Sequence, residues 1–264
     1  MTFFIYLFIG SAAGFMAGLL GIGGGIIVVP ALTLLFTWLD FPQVYRMQMA
    51  IGTSLGAMVF TAASSAWSHY LKRGIDWSLF LLLAPGLVCG AVLGASIASA
   101  LPSHMLKVFF ALCLCATGVF FLVPQKIRKN ESKIDRPRFL FILIGLGIGT
   151  ISSILGMGGG LFTVPTLLLL RIPIKKAIAT SAITGLLIAL VGTVSFLSLG
   201  LDQDTGIDKS IGYLYLPAFI CIGISASILA PFGAKMAHAL PTEHLKRVFG
   251  VFVIIVGIAM LIQN

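Results

Sequence analysis

Long apolar runs alternate with short polar connections along this chain. The runs cover residues 3–38, 44–71, 77–101, 105–123, 139–170, 174–201, 211–240 and 245–262. Each reaches the roughly 18–20 residues a helix needs to cross a bilayer. Two are too long for one crossing. Residues 3–38 in a single helix would extend roughly 54 Å at about 1.5 Å per residue, against a hydrocarbon core about 30 Å thick. The run 139–170 has the same problem. A glycine cluster interrupts each of them: Gly21-Ile22-Gly23-Gly24-Gly25 in the first, Gly156-Met157-Gly158-Gly159-Gly160 in the second. Pro30 and Pro165 follow, each five residues after the last glycine. Glycine runs are poor helix interiors and permit left-handed turns. Each long run is therefore predicted to be a hairpin of two helices joined at a glycine turn, followed by three transmembrane helices.

The two halves repeat. Residues 14–35 align with 149–170 at an offset of 135, with 11 of 22 positions identical. Ala50-Ile51-Gly52-Thr53-Ser54 matches Ala177-Ile178-Ala179-Thr180-Ser181 at an offset of 127. The block 94–102 matches 233–241 at an offset of 139, and Leu106-Lys107 then matches Leu245-Lys246. Three blocks in one order indicate duplication. An N-terminal repeat (1–123) and a C-terminal repeat (139–264) are expected on either side of a basic linker, 124–138.

Composition narrows the class. Of 264 residues, 59% are hydrophobic and only 9% charged, and mean hydropathy is +1.10. A soluble domain carries roughly 25% charged residues, so soluble enzymes and disordered proteins are excluded. The net charge of +9 does not indicate a nucleic-acid partner, because the cations lie in short connections between apolar runs. It reads as positive-inside topology. Cys89, Cys113, Cys115 and Cys221 all lie inside apolar runs and read as small hydrophobes, not a disulfide framework or metal site. The first run lacks the basic n-region of a cleavable signal and is expected to be retained.

Charge counting chooses the topology. If each long run crossed once, the repeats would be parallel and Lys plus Arg would divide nine against eight. If each folds back at its glycines, the repeats are inverted and the division is fourteen against three, with Arg46, Lys107 and Lys209 on the poor side. The second count carries an orientation signal. The expected fold is an all-α polytopic membrane protein built of two inverted repeats. Both termini would lie outside and the linker in the cytoplasm.

Inverted repeats with broken helices are a transporter layout. A short helix begins beyond each glycine turn. Its first amides lack intrahelical acceptors and its dipole end is positive, so a small anion can approach the bare backbone. The candidate substrate-binding residues are Gly23, Gly24, Gly25, Gly158, Gly159 and Gly160. Thr53, Ser54, Thr180 and Ser181 are added because hydroxyls there could complete coordination, although interhelical hydrogen bonding explains them equally well. No carboxylate lies deep in an apolar run, so the usual mark of a proton relay is missing. Gly52-Thr53-Ser54-Leu55-Gly56 fits G-x-S-x-G in form, but it sits in an apolar helix and not at a strand–turn–helix elbow. No catalytic residue, metal or cofactor is assigned.

The stretches GLLGIGGGIIVVPAL (18–32) and ILGMGGGLFTVPTL (154–167), with the AIGTS and AIATS blocks and the alanine-rich blocks ending in Leu-Pro, resemble the sulfite exporter TauE/SafE family. The likeness covers both halves. It implies a multi-pass permease of the cell (inner) membrane that exports sulfite, an organosulfonate or a related small anion. The substrate's sulfur and the direction of export come from the resemblance alone. The expected partners are a small anionic substrate and the bilayer, with a homodimer admitted. An anion channel and a sensory multi-span protein are the alternatives.

Overall fold

The computed structural model describes residues 2–20, 24–122, 137–203, 205–237 and 242–262. The described residues form ten helices and one small hairpin. The helices are α1 (Thr2–Leu20), α2 (Gly25–Trp38), α3 (Arg46–Leu71), α4 (Trp77–Ala100), α5 (Ser103–Leu122), α6 (Arg138–Ile154), α7 (Gly160–Leu169), α8 (Ile174–Gly200), α9 (Leu216–Ala237) and α10 (Thr242–Ile262). The hairpin, β1 (Ser210–Ile211) with β2 (Leu214–Tyr215), lies between α8 and α9. It is the one element the apolar pattern does not predict. Nearly all of the linker 124–138 lies outside the described residues; Arg138 opens α6.

Both long runs break where the glycines stand. In the first, α1 ends at Leu20 and α2 begins at Gly25; in the second, α6 ends at Ile154 and α7 begins at Gly160. The chain then turns back. A methyl group added to Gly24 would stand 3.5 Å from Ala13 Cβ, and one added to Gly159 would stand 3.6 Å from Ile148 Cγ2. Both neighbours lie eleven residues upstream. At about 1.5 Å per residue, α2 and α7 reach only roughly 21 and 15 Å, short of the hydrocarbon thickness.

Glycines set the closest helix contacts. Along α4, Gly86, Gly90 and Gly94 press on the backbone of Ile142, Leu146 and Thr150 of α6. Along α1, Gly10 and Gly14 press on Ile222 and Ala226 of α9. Residue numbers rise together in both pairs, so each pair is parallel. The remaining large contacts run the other way. Gly52 meets Phe196 while Gly192 meets Leu55, so α3 and α8 are antiparallel. Gly118 meets Ile254 while Gly257 meets Ala111, so α5 and α10 are antiparallel as well. Small residues at every fourth position let backbones approach where lipid supplies no hydrophobic drive between helices.

The connections gather at two ends. At one, Lys176 of α8 lies 3.9 Å from Asp76, the residue before α4. At the other, Gln48 Nε2 donates to the Leu101 carbonyl, the Met47 amide to Ser103 Oγ, and Tyr45 Oη to Gln203. Large apolar side chains such as Phe4, Phe8, Leu81, Val194 and Ile255 are exposed on the outer helix faces, as a lipid-facing surface requires. Among the described residues, no charged side chain is fully buried; the buried polar ones are Thr, Ser and Gln, with the hydroxyl-bearing Tyr6 and Tyr213. The four cysteines are free thiols.

Candidate functional site

The glycine turns of the two halves touch. A Cβ on Gly25 would stand 2.5 Å from the Gly156 carbonyl oxygen, 2.9 Å from Met157 Cα and 3.0 Å from Met58 Sδ. Gly156 takes the left-handed conformation (φ +63°), which a Cβ would strain. Its carbonyl accepts from Ser54 Oγ at 3.0 Å. The turns are thus joined through residues of both halves, and Ser54 from α3 ties them. Gly23 lies outside the described residues.

Two helices start at this junction. The N-cap of α2 is Gly24 and that of α7 is Gly159, and neither receives a side-chain cap. The Gly24 carbonyl accepts from the Ile27 and Val28 amides, and the Gly159 carbonyl from the Phe162 and Thr163 amides. The first amides of each helix have no acceptor within the helix itself. The Gly158 amide donates to the sulfur of Met58 at 3.3 Å.

The threonine–serine pairs divide in role. Thr53 Oγ1 accepts from the Tyr215 amide at 3.0 Å, at the entrance to α9. Thr180 Oγ1 accepts from the Asp76 amide at 3.1 Å, at the entrance to α4. The two threonines occupy matched positions and secure matched helix starts. Ser54 spends its proton on Gly156. Ser181 is buried beside Thr184, whose hydroxyl donates to the Ser181 carbonyl at 3.0 Å.

The surroundings of the two turns differ, and sequence reasoning missed this. Around the second turn stand the hydroxyls of Ser152, Thr163 and Thr184, all fully buried. Thr184 lies 3.4 Å from Thr163, and Thr163 Oγ1 stands 3.2 Å from the Cβ position of Gly159. Ser152 lies one turn beyond Ile148 on the same face of α6, and its Oγ has no partner among the described residues. The matched positions in the first half are Ala17, Val28 and Ala57, none of which carries a hydroxyl. There a small apolar cavity of about 10 Å³ adjoins Gly24, between Ala13, Val28, Ala57, Met58 and Thr61. The contrast stands in the sequence, at non-identical positions inside the 149–170 alignment for Ser152 and Thr163 and three residues past the 177–181 block for Thr184.

A second, larger cavity of about 350 Å³ opens at the end where Asp76 and Lys176 meet, lined by Arg73, Asp76, Trp77, Lys175 and Lys176. From it Lys176, Thr180 and Thr184 descend one face of α8 at four-residue spacing. The stripe ends at Ile188, whose Cδ1 is 2.5 Å from the Cβ position of Gly159.

The family profile described as Sulfite exporter TauE/SafE matches residues 6–260. The chain is 34% identical over 262 residues to a "Probable membrane transporter protein" of Haemophilus influenzae, with 97% of each chain covered. It is 27% identical over 259 residues to a protein of the same description from Methanocaldococcus jannaschii, covering 98% of this chain and 95% of that one. With the Bacillus subtilis "Probable membrane transporter protein YunE" it shares 26% over 282 residues, covering 100% and 99%. No solved structure matches significantly. With helices broken at matched glycine turns, an apolar outer surface and a family match over nearly its whole length, the chain belongs to the sulfite exporter TauE/SafE family and is a multi-pass membrane transporter.

Proposed function

We propose that this transporter carries a small oxyanion, sulfite or an organosulfonate, out of the cell through the junction of its two glycine turns. One observation carries the reading: Gly25, the first residue of α2, packs on Gly156 and Met157 of the turn that leads into α7, which brings two helix starts without side-chain caps close together. Backbone amides there can receive a negative charge without a buried Arg or Lys. The route begins at the cationic cavity of Arg73, Lys175 and Lys176 and follows the α8 stripe to the second turn. Three cations against the single carboxylate of Asp76 leave this cavity with an excess of positive charge, and such a field concentrates anions. Glycines 24, 25 and 158–160 line the junction, the Ser54 hydroxyl ties it, and the Thr53 and Thr180 hydroxyls secure neighbouring helix starts.

The halves are read as inverted repeats. In support, corresponding helices (α3 with α8, α5 with α10) pack antiparallel. The 72–76 connection also meets the start of α8, as the fourteen-to-three charge division requires. An anion leaving a negative-inside cell moves downhill, by about 2.3 kcal/mol per charge at 100 mV. Export can then run on the membrane potential alone.

Flux of sulfite, sulfoacetate, sulfate and thiosulfate in proteoliposomes tests the substrate class. Saturable efflux of the first two, lost in Gly24→Leu and Gly159→Leu, is expected. Normal flux in both variants removes the glycine turns from the pathway, and single-channel currents make the protein a channel. Collapse of export when the proton gradient is dissipated at clamped voltage ends the uncoupled scheme.

A further inference from the structure

One side chain reaches both turns. Met58 of α3 is 3% exposed. Its sulfur accepts the Gly158 N–H at 3.3 Å and stands 3.0 Å from the Cβ position of Gly25, while its Cε stands 2.7 Å from that of Gly158. It therefore touches both halves where an anion would have to lie. A thioether is a weak acceptor, so the Gly158 amide is satisfied at minimal strength. Hydrogen bonds to an ionised acceptor are roughly twice as strong as neutral ones. Met is also unbranched and adaptable, and the apolar cavity beside Gly24 gives it slack on the side away from Gly158.

The half that would take the anion is marked independently. The Ser152 and Ser153 hydroxyls are fully buried without a partner among the described residues, and Ser152 lies one turn beyond Ile148, which stands 3.6 Å from the Cβ position of Gly159 in the second turn. Thr163 and Thr184 stand beside the same turn. The counterpart of Met58 in the second half is Gly185, where an added Cβ would be 3.7 Å from the Gly159 nitrogen. At that position α8 therefore brings only backbone toward the Gly159 amide, with Ile188 packing one turn further on. The second turn has donors, and the first half supplies the side chain that covers the Gly158 amide.

We propose that Met58 occupies an oxyanion subsite formed by the Gly158 amide and the Ser152, Thr163 and Thr184 hydroxyls, and that the substrate binds by displacing its thioether. This rests on the reading of the glycine junction as the anion path and adds where the oxygens sit and what competes with them. Met58 then sets affinity, because an internal competitor lowers the fraction of protein ready to bind.

The test is the half-saturating sulfite concentration for efflux from proteoliposomes, with monodisperse elution as the check on folding. Met58→Ala is expected to lower it by about 2- to 5-fold, the loss of one competing contact at the weak end of the hydrogen-bond range. Met58→Leu keeps the volume, loses the acceptor, and should fall between Ala and wild type. Gly185→Ala has space for its methyl but screens the Gly159 amide, and should raise half-saturation. A merely structural Met58 gives the opposite sign, weaker binding in Met58→Ala. Half-saturation unchanged or raised in the Met58 variants that elute as wild type overturns the proposal, as does Gly185→Ala without effect. Absence of wild-type flux of both sulfite and sulfoacetate instead defeats the anion-path reading itself, and this inference with it.

Discussion

Adjacent glycines in one motif answer different constraints. Gly25 faces the Gly156 carbonyl, and its Cβ position is 2.5 Å from that oxygen. Gly24, one residue earlier, has nothing nearer than 3.4 Å. Gly25→Ala should therefore destabilise the protein by about 1–3 kcal/mol, as overpacking usually does, and separate the turns. Gly24→Ala should fold nearly as well as wild type. Thermal unfolding in detergent distinguishes them, and equal melting temperatures would contradict the packing described. Ser54→Ala leaves the buried Gly156 carbonyl without its side-chain donor. A loss of about 1–3 kcal/mol is expected by the same measurement. The sequence marks all these glycines and hydroxyls alike. It identifies the right neighbourhood, but the contact that singles out Gly25 comes from the other half of the chain, beyond the linker.

At the scale of elements, helix pairing depends on glycines spaced by four. Gly90 presses on the Leu146 carbonyl, whereas Gly147, on the neighbouring helix, has nothing within 4 Å of its Cβ position. Alanine at Gly90 should force α4 and α6 apart and cost about 1–3 kcal/mol. Alanine at Gly147 should be neutral or stabilising by up to about 1 kcal/mol through helix propensity. Comparable melting temperatures for the two variants would refute that assignment of faces. Most of the element pattern was legible. The apolar runs became helices because lipid leaves backbone groups no alternative partner, and the breaks fell at the glycine clusters because a bilayer cannot contain so long a rod. The β1–β2 hairpin was not legible. Two short strands carry no periodic signal, and the Thr53 bond to the Tyr215 amide joins residues 162 apart.

For the molecule as a whole, the arrangement of ends matters most. Single cysteines at positions 130, 174 and 204 in a cysteine-free background should place 130 and 174 on one side of the membrane and 204 on the other. Labelling of 130 and 174 from opposite sides would rule out the inverted arrangement. The cation-rich end has a functional consequence. Removing two charges with Arg73→Gln and Lys175→Gln should raise half-saturation for the anion severalfold at low ionic strength. The effect should shrink near 0.5 M salt, where screening shortens the reach of charge to a few ångströms. An effect independent of salt would point to direct contact and not to steering.

Hydrophobic spacing, glycine clusters and charge bias are local properties, so the sequence alone determined the helices, their two breaks and the family. Which surfaces meet was decided by tertiary structure. In lipid, helices pair through close packing of small residues, and a chain with 30 glycines offers many candidate faces that only the assembled set of contacts selects. Packing turned the matched threonines into anchors for helix starts and gave the second turn its buried hydroxyls. It also set Met58 of the first half against the Gly158 amide of the second, a contact between residues 100 apart.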